Sequence, residues 1–261
     1  MLPLRDDVPT RCIPWINYLM IGICTLVFLK QMDPSHDGER LVFEYGMVPA
    51  RVTGALPPTD TVRIRIPAPR GEVQILEAPP PAVPPWLTIV TCMFLHGGIM
   101  HIVGNMWFLY IFGDNVEDRY GHVGYTVLYL ASGIAASLLH LATAPSSEIP
   151  TVGASGAISG VMGAYFVLFR HARVITLLPL GVFTQIVAIP APFFLGIWFL
   201  MQLLSATFTP TGGGGVAFWA HVGGFVAGVA ATLLLGFMHQ EIRRESSICR
   251  TPAWQRRRYP W

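Results

Sequence analysis

The chain has 261 residues, of which 52% are hydrophobic and 12% charged, where an ordinary soluble domain carries about 25% charged residues. Mean hydropathy is +0.51, and a soluble domain of this length needs a charged surface that this composition does not supply, so the chain reads as a membrane protein. The formal charge of +2 comes from one lysine, Lys30, and sixteen arginines, six of them beyond residue 240; a basic excess confined to a tail argues against nucleic acid as a partner.

Residues 1–12 mix Arg5 and Arg11 with Asp6 and Asp7. They lack a short apolar run ending in a small-residue cleavage site, so no cleaved signal or transit peptide is expected. A hydrocarbon layer about 30 Å thick calls for about 20 mostly apolar residues per helix. Six segments qualify, near 13–31, 87–112, 123–143, 152–169, 189–206 and 216–238. The expected fold class is an all-α integral membrane protein, a six-helix bundle over 13–238 between a cytoplasmic N-terminus and a basic cytoplasmic tail, 239–261. The apolar run 174–188 holds Pro179, Gly181 and Gln185 and stops at Pro190, which predicts an interfacial or re-entrant approach to the fifth helix.

Orientation follows the arginines of the short loops. Arg119, Arg170, Arg173 and the tail arginines fall on one side, while the loops near 144–151 and 207–215 have no Lys or Arg, which predicts N-in, C-in. The long first loop, about 32–86, is then extracytoplasmic. It ends in Pro79-Pro80-Pro81 and Pro84-Pro85, and alternates with period two over 61–66 and 72–75, a pattern that fits either a small hairpin or an irregular loop. Gly212 to Gly215 join the last two helices, which suits either a mobile lid or a bare linker. Cys12, Cys24, Cys92 and Cys249 lack CxxC spacing and imply neither a disulfide framework nor a zinc ribbon.

Polar residues inside membrane helices are costly and are therefore functional candidates. His96, His101 and Asn105 fall in the second segment, His140 near the end of the third, Ser155 and Ser159 in the fourth, and His221 in the sixth. On a helix, His101 and Asn105 lie about 40° apart and share a face, whereas His96 is rotated about 140° from His101. Gly156 and Gly160 in the fourth helix, and Ala220, Gly224 and Gly228 in the sixth, form small-residue stripes that let two helices touch. Such contact would bring His221 to Ser155, the minimal activated nucleophile. A His–Asn pair from a third helix would suit a developing oxyanion. No Asp or Glu lies in the apolar part of a helix to orient His221, so hydrolytic chemistry would use a dyad. Spacing alone leaves other readings open: a metal site, although these spacings fit no tight ligand motif; core histidines that hold helices together; or a transport path, against which the halves show no inverted repeat. No metal or cofactor is expected.

Three motifs together resemble the rhomboid family of intramembrane serine proteases: His96-x4-His101-x3-Asn105, Gly153-Ala154-Ser155-Gly156 and Ala220-His221-Val222-Gly223-Gly224. The similarity covers roughly 87–238. It implies Ser155 as nucleophile, His221 as general base, and an oxyanion hole of His101, Asn105 and the Ser155 N–H. His96, Gly153, Gly156 and Gly224 would give structural support. So would Glu117 and Arg119, by charge pairing where the second helix ends. The Trp-Arg pair frequent in the family's first loop is missing between 32 and 86.

The resemblance further implies cleavage of single-span membrane proteins near the outer leaflet; the lack of a transit-like N-terminal stretch makes a bacterial inner membrane the expected location. Transmembrane substrates and the lipid bilayer would be the partners. The fifth helix, with Phe193, Phe194, Trp198 and Phe199, either moves as a gate or turns its aromatics to lipid. The competing reading is a non-proteolytic binder or chaperone of membrane proteins on the same scaffold.

Overall fold

The computed structural model describes residues 1–33, 38–57, 59–60, 62–67, 73–180, 183–209 and 216–238. In chain order the elements are β1 (Leu2–Asp6), α1 (Trp15–Gln31), the short helices α2 (Gly38–Tyr45) and α3 (Pro49–Val52), β2 (Val62–Pro67), β3 (Val73–Ala78), a one-turn α4 (Thr88–Thr91) between two 3₁₀ turns, α5 (Ile99–Thr143), α6 (Ser155–Leu168), β4 (Arg173–Leu180), β5 (Phe183–Pro190), α7 (Ala191–Phe208) and α8 (Phe218–Met238). Among the described residues three helices are long and apolar enough to cross a membrane, within α5, α7 and α8; α1 and α6 are apolar but shorter.

α5 contains two of the expected segments. Gly121 interrupts it with φ 69° and ψ 168°, a conformation that glycine adopts without steric cost, so the helix ends and restarts there.

The second expected segment begins late. Residues 85–94 form short turns, Leu95 is extended (φ −91°, ψ 154°), and regular helix starts only at Ile99. The reason lies in Gly97-Gly98, poor helix formers, and in a clamp on the backbone of His96. Its N–H donates to Gln31 Oε1 at 3.1 Å and its carbonyl accepts from Gln31 Nε2 at 3.0 Å. His96 therefore does not sit on the helix face that its spacing from His101 suggests.

The all-α expectation is corrected to mostly helical. The run 174–188, expected as an interfacial or re-entrant approach to the fifth helix, is built as strand: β4 and β5 pair antiparallel, with Arg173 opposite Pro190 and Leu180 opposite Phe183, and β5 leads directly into α7. β1 adds to the other edge of β4, Leu2 opposite Leu177 and Asp6 opposite Val174. Along β4, Val174 and Thr176 are buried while their neighbours are more open, the alternation of a half-buried strand of β-branched residues. In the first loop β2 and β3 pair from Val62–Ala78 to Pro67–Val73, so the period-two alternation is a hairpin. Gly212 to Gly215 and the tail 239–261 lie outside the described residues.

α6 is the hub. A Cβ on Gly224 would strike the Gly156 carbonyl, one on Gly228 the Gly160 carbonyl, and one on Gly160 the Ser132 side chain, so the small stripes of α6 and α8 meet backbone to backbone with α5 behind them. Below this contact Leu109, Phe112, Val116, Tyr125, Tyr129, Val161, Tyr165 and Phe194 form one buried core.

α1 is fastened by Glu117 rather than by apolar contact alone. The buried carboxylate accepts from Ile16 N–H at 3.0 Å and Asn17 N–H at 2.7 Å, amides of the first turn that have no partner within the helix. Asn17 in turn donates to the Leu109 carbonyl and accepts from Tyr125 Oη.

Candidate active site

Ser155 is the first residue of α6, so its N–H has no acceptor within the helix. The stretch leading to it is pinned twice. Thr151 and Met47 exchange backbone hydrogen bonds of 2.8 and 3.0 Å, and Gly153 N–H donates to the Cys92 carbonyl at 2.9 Å. Gly153 has φ +130°, and a Cβ there would lie 2.8 Å from Cε1 and Nε2 of His101 and 3.6 Å from Ser155 Oγ. Only glycine lets this backbone pass between the imidazole and the hydroxyl.

The close contact of α6 and α8 carries His221 to Ser155, with 2.7 Å between Nε2 and Oγ. On its other side, His221 Nδ1 lies 2.7 Å from Gln202 Oε1 on α7. An amide oxygen only accepts, so Nδ1 carries the proton and Nε2 offers its lone pair to the hydroxyl. Trp198, one turn before Gln202, covers the imidazole with ring centroids 6.0 Å apart and planes tilted 30°, and Phe218 meets it edge-on at 6.3 Å.

His101 has the opposite tautomer. Its Nδ1 accepts from Gly97 N–H at 3.2 Å, so a neutral ring carries its proton on Nε2, the atom beside Gly153. Ser155, His221, His101 and Gly153 line one cavity of about 690 Å³, whose wall also includes His140 and Phe218.

The other predicted residues divide. Asn105 is 8% exposed, its Nδ2 has no hydrogen-bond partner, and it does not line the cavity. His96 is 1% exposed and packs its ring 5.3 Å from that of His101, with neither ring nitrogen bonded; the extended backbone at residue 95 brings together two histidines that helical spacing would hold apart. Ser159 Oγ donates to the Ser155 carbonyl at 2.6 Å and supports the first turn. Glu117 has the amides of α1 and the ring of His122 as partners, not Arg119, which lies beside Asp118. Among the described residues no cluster suited to a metal ion occurs.

Sequence reasoning missed Gln202. It stands as a neutral amide within Leu200-Met201-Gln202-Leu203-Leu204, outside the three motifs. The rule that polar side chains are expensive in a membrane applies to it equally and would have found it. The aromatics of α7 divide: Phe193 is exposed, Phe194 is buried in the core, and Phe199 stacks on Phe225 at 4.6 Å.

Residues 84–237 match the family model described as "Rhomboid domain". Among curated proteins the chain is 31% identical over 151 residues to "Rhomboid protease GluP" of Bacillus subtilis (strain 168), covering 58% of this chain and 26% of that protein. It is 40% identical over 78 residues to "Rhomboid-like protein 11, chloroplastic" of Arabidopsis thaliana, covering 30% and 28%. It is 34% identical over 88 residues to "Putative rhomboid protease YdcA" of Bacillus subtilis (strain 168), covering 33% and 44%. The matches thus span less than half the length of these relatives.

Proposed function

This chain belongs to the rhomboid family and is an integral membrane protein; from that premise we propose that it is an intramembrane serine endopeptidase working through Ser155 and His221. The observation that carries this reading is the 2.7 Å contact of Ser155 Oγ with His221 Nε2 on the wall of a large cavity.

Ser155 Oγ attacks the scissile carbonyl as Nε2 of His221 takes its proton. The tetrahedral oxyanion is met by the Ser155 N–H and by Nε2–H of His101, each such donor being worth about 10²–10³ in rate. Asn105 would join them by turning its unpartnered Nδ2 toward the cavity. Collapse breaks the C–N bond, and the imidazolium returns the proton to the leaving amine. Water, activated by the same imidazole, then hydrolyses the acyl-serine.

Helical backbone in hydrocarbon is fully paired, so a substrate helix must unwind locally before attack. α6 has 14 residues, about 21 Å at 1.5 Å per residue, less than a hydrocarbon core of about 30 Å. With the other end of α6 at one membrane surface, its first residue, Ser155, lies below the opposite surface, and the cavity of about 690 Å³ beside it has room for water at that depth. The arginine bias supports a six-span, N-in, C-in arrangement with this surface outside, and substrates that are single-span proteins cut near the outer leaflet.

In proteoliposomes carrying a single-span substrate, Ser155→Ala and His221→Ala each abolish cleavage while the protein stays folded. Undiminished cleavage by purified Ser155→Ala would end this reading. A non-proteolytic binder would keep its function in both variants.

A further inference from the structure

Among the described residues no carboxylate is hydrogen-bonded to His221, yet its Nδ1 is not free. Gln202 Oε1 holds it at 2.7 Å, and Trp198, four residues earlier on the same face of α7, lies over the ring. Gln202 is a polar group in an apolar helix, with exposed apolar neighbours on either side, Leu200, Met201 and Leu204. Its side chain turns inward to one partner, which accounts for its cost in that setting.

We propose that Gln202 is the positioning residue of the catalytic pair: its side-chain carbonyl fixes His221 in the Nδ1–H tautomer and aims Nε2 at Ser155. The proposal rests on the protease reading and deepens it. A neutral imidazole serves as base only if the nitrogen facing the hydroxyl is unprotonated, and in a triad a carboxylate performs this selection. Here a neutral amide does so, which fixes the tautomer without placing a second charge in the membrane. When Nε2 takes the Ser155 proton, Nδ1–H becomes a charged donor and its bond to Gln202 strengthens, so the interaction favours the transition state over the ground state.

The base is therefore assembled across two helices, the imidazole from α8 and its orienting group from α7. The apolar stretch of α7 is 22% buried, against 39% for those of α5 and α8, so the orienting group rides on the least enclosed of the three.

The test compares Gln202→Met, which keeps size and loses the acceptor, with Gln202→Glu, which keeps the acceptor and adds charge. Gln202→Met lowers kcat about 10-fold with KM unchanged, the loss of roughly one hydrogen bond made stronger in the transition state. Gln202→Glu retains kcat within about 3-fold and moves the acidic limb of the pH–rate profile to higher pH, because the carboxylate favours imidazolium. Thermal unfolding confirms that each variant is folded. Independently of activity, ¹⁵N spectra of histidine-labelled protein report the His221 tautomer, assigned by its loss in His221→Ala: Nδ1–H in wild type and Gln202→Glu, a mixture or the Nε2–H form in Gln202→Met.

If wild type cleaves and Gln202→Met keeps both the wild-type kcat and the wild-type spectrum, the positioning role is overturned and the protease reading stands. If wild type does not cleave, the protease reading fails by itself, and the spectra still decide whether Gln202 holds the imidazole. A wild-type Nε2–H tautomer overturns the proposal in either case.

Discussion

Replacing Gly153 with alanine perturbs the site through a single methyl group. Gly153 has φ +130°, where a side chain costs on the order of 1–3 kcal/mol, and the added Cβ would stand 2.8 Å from Cε1 and Nε2 of His101. The imidazole cannot simply swing away, since its Nδ1 is tied to Gly97 N–H at 3.2 Å and the His96 ring packs on it at 5.3 Å. Relief must come from moving His101 or the 151–154 backbone, and either shift takes an N–H donor away from the carbonyl to be attacked. Loss of one such donor costs about 10²–10³ in kcat, far more than a stability change of this size would produce in a protein that remains folded. The assay is kcat and KM on a transmembrane substrate in proteoliposomes, with thermal unfolding alongside. Gly22→Ala, where a Cβ meets nothing within 4 Å, serves as the control and leaves both unchanged. Wild-type kcat in a folded Gly153→Ala protein would refute the argument that this glycine keeps the donors in place.

Other perturbations give different signatures. Gly224→Val drives a side chain into the Gly156 carbonyl, parts α6 from α8, and costs on the order of 3 kcal/mol or more, read as a lower Tm together with loss of activity. Glu117→Ala leaves the Ile16 and Asn17 amides without their acceptor, at about 1–3 kcal/mol for each buried donor, and loosens α1; hydrogen exchange at residues 16 and 17 rises before the rest of the chain unfolds. Asp6 accepts from Tyr165 Oη and Asn115 Nδ2 at 2.6 Å each, and burial pushes its pKa up from 3.8 to about 7, against the lowering effect of the Tyr165 bond. A carboxyl raised in the folded state contributes stability that is full below about 3.8 and is lost as pH rises through about 7. Asp6→Asn therefore flattens the stability profile across that window, as a denaturation series at several pH values would reveal.

The residues that meet at the site were legible from the sequence because membrane burial makes polar side chains rare, so Ser155, His101 and His221 stood out. The small stripes of α6 and α8 were legible for a related reason: without a hydrophobic driving force between helices, close packing needs glycine at fixed spacing. What was not legible depends on long-range partners. β1 and β4 lie more than 160 residues apart in the chain and pair as strands, and nothing local in residues 174–188 announces an edge partner at the N-terminus. The pairing of Glu117 with the amides of α1 spans about 100 residues, and nothing local around Glu117 announces those partners. Gln31 likewise decides the backbone at His96 from 65 residues away. Gln202, a neutral amide like Asn105, belongs to no motif, and its partner His221 lies on another helix 19 residues away.

The central claim is that Ser155 is a nucleophile activated by His221. A fluorophosphonate probe with mass mapping of the adduct tests it most directly, since phosphonylation requires an activated hydroxyl and no knowledge of the natural substrate. The account predicts a single adduct on Ser155 in wild type, absent from Ser155→Ala and from His221→Ala. A folded wild-type protein that stays unlabelled, or one labelled as fast without His221, would contradict it.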